Sequence, residues 1–321
     1  MKSFYSSSRL LLTVLAFLCT FGSVTNARSQ SLLVTSYSQI LSYDPVTGAS
    51  LGDFTIGGSY TYATGMTYGP DGNLYLCDFS TGNVLKYNGI TGVYLGKFAT
   101  VANQNPYNVS FGPDGNLYVG VSGGNILRYN GTTGALIGTF ITAPSGSDFG
   151  GMAFHNGSLF VSYLGGSGSL YQYNATTGAL VANLYSGFYG NGPRSPLFGP
   201  NGSLYVPVWQ TSSIAQFTNA NYAFNGNLVN DPSLSPMSLA IAPDGNLLAL
   251  NDNGNNDSVR RYDINTGAYL GTLVTAGSGG LGRGTTILIR AVPEPSAWAL
   301  VAGTGLAAVL LQRKRLSGRG S

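Results

Sequence analysis

The chain of 321 residues is poor in charge, with Asp, Glu, Lys and Arg together making 8% of it. It holds one histidine, His155, and two cysteines, Cys19 and Cys77. Glutamate occurs once, at Glu294. Each shortage excludes something. Between residues 28 and 291, nine basic residues face eleven Asp, so no basic patch suits nucleic acid. Cys19 falls in an apolar leader expected to be removed. Cys77 is then alone, and an intramolecular disulfide is excluded from the mature chain. A lone cysteine in a strand-like run reads as a small buried hydrophobe. No Ser-His-Asp set or Cys-His pair can be assembled around His155, which sits in a turn where solvation is the ordinary reading.

What is abundant points to strands. The chain has 47 Gly, 21 Tyr and 15 Phe, a mixture that fits short strands joined by tight turns. A helical bundle would instead be rich in Ala, Glu, Lys and Leu. A hydrophobic content of 43% supports a packed core.

The two ends carry addresses. Lys2 and Arg9 precede and open an apolar run over residues 10–21, and Val24-Thr25-Asn26-Ala27 offers a cleavage site, expected after Ala27. An uncleaved anchor would need about 20 apolar residues. Phe17 and Leu18 precede Cys19 where a lipid-attachment motif wants small residues, so no lipid anchor is expected. At the other end, Pro293-Glu294-Pro295 is followed by an apolar stretch over residues 297–311 and then by Arg313-Lys314-Arg315. Basic residues after an apolar segment stay on the cytoplasmic side, which puts the middle of the chain outside the inner membrane. This order closely resembles the PEP-CTERM sorting signal of Gram-negative bacteria. The resemblance implies that a membrane peptidase, exosortase, recognises Pro293, Glu294 and Pro295 and processes the tail. It also implies an association with exopolysaccharide and biofilm matrix. An ordinary tail anchor is the plain alternative.

The middle is a repeat. Gly69-Pro70-Asp71-Gly72-Asn73-Leu74-Tyr75 is nearly copied at Gly112-Pro113-Asp114-Gly115-Asn116-Leu117-Tyr118, with weaker copies around Gly157, Gly202 and Gly245. The steps between the glycines are 43, 42, 45 and 43 residues. A period of this length signals a propeller or solenoid. A second phrase follows each copy and ends at Gly48, Gly92, Gly134, Gly178 and Gly267. Asp-Gly and Thr-Gly between apolar runs are turn signals, so each period reads as four strands. Four strands at this period make a propeller blade. The second strand recurs around Leu33, Tyr75, Tyr118, Phe160, Tyr205 and Leu248, which counts six blades. The first copy lacks an inner strand, and residues 285–289 are a spare strand that would close the ring. A seven-bladed ring or an open solenoid shares the same period.

The expectation is therefore an all-β chain: a six-bladed β-propeller with four-stranded blades, plus an N-terminal signal helix and a C-terminal membrane or sorting helix. The expected division is signal peptide 1–27, propeller 28–291 and sorting tail 292–321. Asp252-Asn253-Gly254-Asn255-Asn256 and Val259-Arg260-Arg261-Tyr262 resemble the strand-loop-strand phrase of the NHL-repeat and gluconolactonase-like six-bladed superfamily. Such phrases fix fold well and function poorly.

Gluconolactonase-like relatives imply a divalent metal in the channel, held by a carboxylate and Asn side chains. Here Gly65, Asn108, Gly151, Ser195 and Ser238 should face the channel, and no Asp or Glu joins them. A hard cation wants several oxygens with carboxylate charge, so no metal or other cofactor is expected. Streptogramin-lyase-like relatives imply a histidine base, which His155 is badly placed to be. Residues 251–257 are rich in Asn and Asp, but their spacing is not a calcium-loop pattern and reads as turn capping. Asp71, Asp114 and Asp244 sit where an Asx turn needs them.

Loops from the fourth strand of one blade to the inner strand of the next belong to the top face. They carry Tyr60, Tyr62, Tyr107, Asp148, Phe149, Phe188, Tyr189, Arg194 and Arg283. Aromatic rings beside Asn, Asp and Arg suit polar, ring-shaped ligands such as sugars. The same aromatics could simply pack the loops. The candidate ligand residues are Tyr107, Asn108, Asp148, Phe149, Arg194 and Arg283. Six Asn-x-Ser/Thr sequons, at Asn108, Asn130, Asn156, Asn174, Asn201 and Asn256, fit the composition of the repeat. The expected function is that of an exported envelope or matrix module that binds without catalysis. Its expected partners are signal peptidase, exosortase, and polysaccharide or other envelope proteins. A metal-dependent lactonase-like or lyase-like hydrolase is the alternative.

Overall fold

The computed structural model describes residues 30–290 except 167, 189–191 and 255. The expected leader, the sorting tail with Pro293, Glu294 and Pro295, and Tyr189 lie outside the described residues. None of the described helices is long and apolar enough to cross a membrane.

Ser31–Arg290 form one compact unit. Its described strands make six four-stranded antiparallel sheets, arranged as propeller blades. Blade 1 holds β1 (Ser31–Ser36), β2 (Gln39–Tyr43) and β3 (Ser50–Asp53). Blade 2 holds β4 (Ala63–Tyr68), β5 (Leu74–Asp78), β6 (Asn83–Tyr87) and β7 (Tyr94–Thr100). Blade 3 holds β8 (Pro106–Phe111), β9 (Leu117–Val121), β10 (Ile126–Tyr129) and β11 (Leu136–Ile141). Blade 4 holds β12 (Asp148–His155), β13 (Ser158–Leu164), β14 (Ser169–Asn174) and β15 (Leu180–Ser186). Blade 5 holds β16 (Leu197–Phe198), β17 (Leu204–Val208), β18 (Ser213–Phe217) and β19 (Phe224–Asn230). Blade 6 holds β20 (Pro236–Ile241), β21 (Leu247–Asn251), β22 (Ser258–Tyr262) and β23 (Tyr269–Val274). The last strand, β24 (Ile287–Arg290), is the inner strand of blade 1.

The turns follow from their residues. In the Gly-Pro-Asp-Gly phrase, Asp71 Oδ1 accepts the Asn73 amide at 3.1 Å, and Asp114 and Asp244 do the same for Asn116 and Asn246. These carboxylates serve their own turns and, through Asp71 and Asp114, the hydroxyls of Tyr75 and Tyr118. The Thr-Gly phrase ends in a left-handed residue. Gly92 has φ of 73°, and a Cβ there would lie 1.7 Å from the Phe54 carbonyl oxygen. Both conformation and space demand glycine.

The hydrophobic interior is divided among the blade interfaces. One cluster joins Leu33 and Ile40 of blade 1 to Met66 and Leu76 of blade 2. The next joins Cys77 and Val84 of blade 2 to Val109 and Val119 of blade 3. Similar clusters fill the remaining interfaces, ending with blades 6 and 1. Alternation along the inner strands produces this division, since Met66, Val109 and Met152 point into interfaces while their neighbours are small. Burial holds the Cys77 thiol far above its ordinary pKa, so it is an inert core residue.

Ring closure is by β24, which pairs antiparallel with β1, placing Leu33 opposite Leu288 and Val34 opposite Ile287. The strand begins two residues later than expected because Thr285 and Thr286 are otherwise engaged. Thr285 Oγ1 donates to the Ala63 carbonyl at 2.9 Å, and Thr286 Oγ1 to the Thr64 carbonyl at 2.7 Å. Both amides donate to Thr35 Oγ1. The fully buried Asp257 fixes the approach to this segment, accepting the Gly284 amide at 2.5 Å and the Asn253 amide at 2.9 Å. The Asn- and Asp-rich loop over residues 251–257 thus spends this carboxylate on the backbone.

Candidate ligand-binding site

Inner strands start on the top face, so their first residues meet around the axis. Here glycine allows a close approach. A Cβ on Gly65 would lie 2.6 Å from Asn108 Cα, and one on Gly151 would lie 2.3 Å from Ser195 Cα. Blade 3 therefore presses against blade 2, and blade 5 against blade 4. Asn108 Nδ2 donates to Ser195 Oγ at 3.2 Å, tying blade 3 to blade 5. Ser238 does not join this ring of groups; its hydroxyl accepts the Ile287 amide. Thr285 and Thr286 line the channel from the closing segment.

Around these residues opens a cavity of about 320 Å³. Tyr62, Phe79, Tyr107 and Arg194 line it with Asn108 and Ser195. The rings form an arc. Tyr37 lies 5.8 Å from Tyr62, Tyr62 5.8 Å from Phe79, and Phe79 5.1 Å from Tyr107, centroid to centroid. All are tilted or edge-on, the arrangement that aromatic quadrupoles favour. Burial raises the phenol pKa of Tyr62 and Tyr107. The arginine charge near both works against that rise without cancelling it.

Arg194 sits between two prolines, in Pro193-Arg194-Ser195-Pro196. Proline cannot donate to a ladder, so the inner strand of blade 5 shrinks to Leu197–Phe198 and Arg194 lies in the extended segment before it. Its amide donates to the Pro207 carbonyl at 2.8 Å and its carbonyl accepts the Ser162 hydroxyl at 2.9 Å, which fixes the backbone. The guanidinium lies 5.6 Å from the Trp209 ring centroid. Its Nε is buried with no hydrogen-bond partner. The ion pairs among the described residues are Lys86–Asp71, Arg260–Asp231 and Arg261–Asp244, and Arg194 is in none of them.

The other expected ligand residues divide. Phe149 is a correction: it is fully buried, and its ring fills the space that a side chain on Gly120 would need. It is a wedge between blades 3 and 4 and cannot meet a ligand. Tyr60 and Phe188 are buried in interfaces as well. Asp148 is half-buried and ties blade 4 to the β9–β10 turn of blade 3, accepting the Gly123 amide at 3.0 Å and the Phe149 amide at 2.8 Å. Arg283 is exposed and donates to the Tyr37 hydroxyl, with its guanidinium carbon 4.9 Å from that ring centroid. It stands at one end of the arc, and Arg194 lines the cavity beyond the other. His155 stacks on Phe198 at 3.9 Å, at the far end of its inner strand and outside the cavity.

Tyr37, Phe79 and Trp209 were missed from sequence. Each directly follows the second strand of its blade, after Ser36, Asp78 and Val208. The connection from second to third strand also reaches the top face, and that position was the available signal.

The cavity wall does not fit a divalent cation. It offers an amide, hydroxyls and a guanidinium, but no carboxylate, and the guanidinium repels a cation. Among the described residues no three His, Cys, Asp or Glu cluster as metal ligands would.

A family model described as "Strictosidine synthase-like, N-terminal" matches residues 102–129, the first three strands of blade 3 and the loop before them. No curated protein matches the chain. Among solved structures, a protein of unknown function from Bacteroides caccae superposes with a TM-score of 0.63 at 16% identity, covering 81% of this chain and 98% of its own. A structure of a nidogen/laminin complex contains a chain with a TM-score of 0.59 at 15% identity, covering 82% and 98%. The calcium-binding protein regucalcin from Agrobacterium tumefaciens gives 0.53 at 15% identity, covering 65% and 73%. At these identities the likeness is one of fold alone, that of a β-propeller.

Proposed function

We propose that the chain is a non-catalytic binding module that takes a saccharide at the top of its central channel. The observation that carries this reading is the arc of Tyr62, Phe79 and Tyr107 along a cavity whose wall, among the described residues, holds no carboxylate or histidine. Flat apolar ring faces match the flat C–H faces of sugar rings, while Asn108 and Ser195 supply hydrogen bonds. A channel lacking carboxylates supports recognition over turnover. The metal-dependent lactonase-like or lyase-like alternative rests on the resemblance of residues 252–262 to the gluconolactonase-like phrase. Hydrolysis of a lactone panel that EDTA abolishes would displace the binding reading.

The expected result is that Tyr62→Ala with Tyr107→Ala weakens binding to matrix polysaccharide about tenfold or more, with a cooperative melting transition retained. That corresponds to ~1.4 kcal/mol or more, in the range of lost ring contacts. Glycan-array and calorimetric binding of the full chain measure it. Unchanged binding in this double variant, with loss in the bottom-face variant Asp114→Asn, would move the site to the other face.

The module is proposed to act outside the cell. The motivation is the order of segments at the two ends: leader 1–27 with cleavage after Ala27, and tail 292–321 with Pro293-Glu294-Pro295 read by exosortase. Intact-mass analysis of protein from a host with an active exosortase checks this. Mature protein should lack both segments, and a species retaining Arg313 to Arg315 would defeat the tail assignment.

A further inference from the structure

We propose that Arg194 makes the channel mouth selective for acidic sugars, receiving the carboxylate of a uronate unit while the rings of Tyr62 and Tyr107 face the sugar plane. This rests on the saccharide reading above and names the class within it. Three observations carry it. First, the guanidinium lines the cavity with its Nε desolvated and unpartnered, so a group that accepts hydrogen bonds is missing from its surroundings. An unsatisfied buried donor costs about 1–3 kcal/mol, more when charged, which an anionic acceptor would recover. Second, the side chain is held in place without a carboxylate. Proline on either side, backbone bonds to Pro207 and Ser162 and the Trp209 ring position it in advance. A planar fork positioned this way suits bidentate carboxylate binding.

Third, no carboxylate of the chain occupies the guanidinium: Arg194 is in none of the ion pairs among the described residues. The two carboxylates nearest in effect are spent elsewhere, Asp148 on the amides of Gly123 and Phe149 and Asp252 on that of Gly254. A ligand carboxylate in direct contact with the guanidinium is attracted more strongly than these more distant charges repel it. Burial lowers the pKa of Arg194 from its ordinary value, but a guanidinium stays charged at neutral pH.

The test uses the full chain carrying Trp298→Phe, so that emission reports Trp209 beside Arg194. The probes are an α-1,4-linked oligogalacturonate and the same oligosaccharide with its carboxyls reduced to hydroxymethyl groups. The acidic probe should bind about tenfold or more tightly at low salt, and the advantage should shrink as salt rises. Arg194→Gln should weaken the acidic probe far more than the neutral one, bringing the two affinities together. Arg194→Lys should keep part of the preference. Equal affinities in the native chain, or a preference that survives Arg194→Gln, would overturn the acidic selectivity while the saccharide reading stands. Absence of binding by either probe and by a neutral glycan panel would overturn both. Should Arg194→Gln fail to fold, the salt dependence and probe comparison on the native chain decide alone.

Discussion

Deletion of Ile287–Arg290 is expected to open the ring and remove most of the stability of the propeller. The strand buries Ile287 between blades 6 and 1, packs Leu288 against the interface of blades 1 and 2, and packs Ile289 beside Ile287. A fully buried side chain of this type contributes about 1.5–3 kcal/mol, so the three together contribute on the order of 5 kcal/mol. The deletion also bares the inner edge of β1, whose backbone groups pair with β24 over Ser31 to Val34. Total stability of a domain is about 5–15 kcal/mol, so the loss is comparable to the whole. Thermal and urea melts of the deletion variant should show a collapsed transition or aggregation. A melting temperature within a few degrees of the full chain would mean that closure contributes little.

Gly151→Ala is expected to force two blades apart at the axis of the propeller. The added Cβ would sit 2.3 Å from Ser195 Cα and from Ser195 Oγ, and 2.6 Å from Ser195 N. Two of those atoms are backbone, so no rotamer relieves the contact, and blade 5 must move off the axis. Overpacking of this kind costs about 1–3 kcal/mol and more where the backbone is the obstacle. For a domain of this size a 3 kcal/mol loss lowers the melting temperature by roughly 6–12 °C. Gly72→Ala is the control. It has φ of 74° but no atom within 4 Å of its added Cβ, so it should cost only the conformational penalty of ~1–2 kcal/mol. The reverse order of the two variants would show that blade contact at the axis is not what Gly151 provides. The same shift of blade 5 would displace Ser195 and Arg194, so Gly151→Ala should also weaken saccharide binding.

The fold was legible because its signals are local and repeated. The Gly-Pro-Asp-Gly and Thr-Gly phrases build turns from their own side chains, and six copies of one strand count the blades. Closure was legible as a deficit, since Leu33 had no inner strand before it. Its register was not, because the hydroxyls of Thr285 and Thr286 bond to carbonyls of blade 2, more than two hundred residues away in sequence.

The site was legible in part. Tyr107, Asn108 and Arg194 do line one cavity. Phe149 looked the same as Tyr107 in sequence, a loop aromatic beside a polar residue. What separates them is Gly120 on a neighbouring blade, which leaves room for the Phe149 ring, and no local pattern states that pairing. Tyr60 and Tyr62 differ for a simpler reason. They stand two apart in the loop before β4, where Tyr60 packs edge-on against Tyr87 and Tyr62 against Phe79 at the axis. Tyr37, Phe79 and Trp209 escaped notice because they lie in the other set of top connections, which are short, and of which only those of blades 1, 2 and 5 carry an aromatic.

The central claim is that recognition occurs at the top of the channel and leaves the ligand intact. A crystal structure of the chain with the oligogalacturonate bound tests it most directly. A sugar ring facing Tyr62 and Tyr107, with its carboxylate on Arg194 and its glycosidic bonds unbroken, is the predicted result. A ligand seated among the Gly-Pro-Asp-Gly turns of the opposite face, or a cleaved product in the channel, would contradict it.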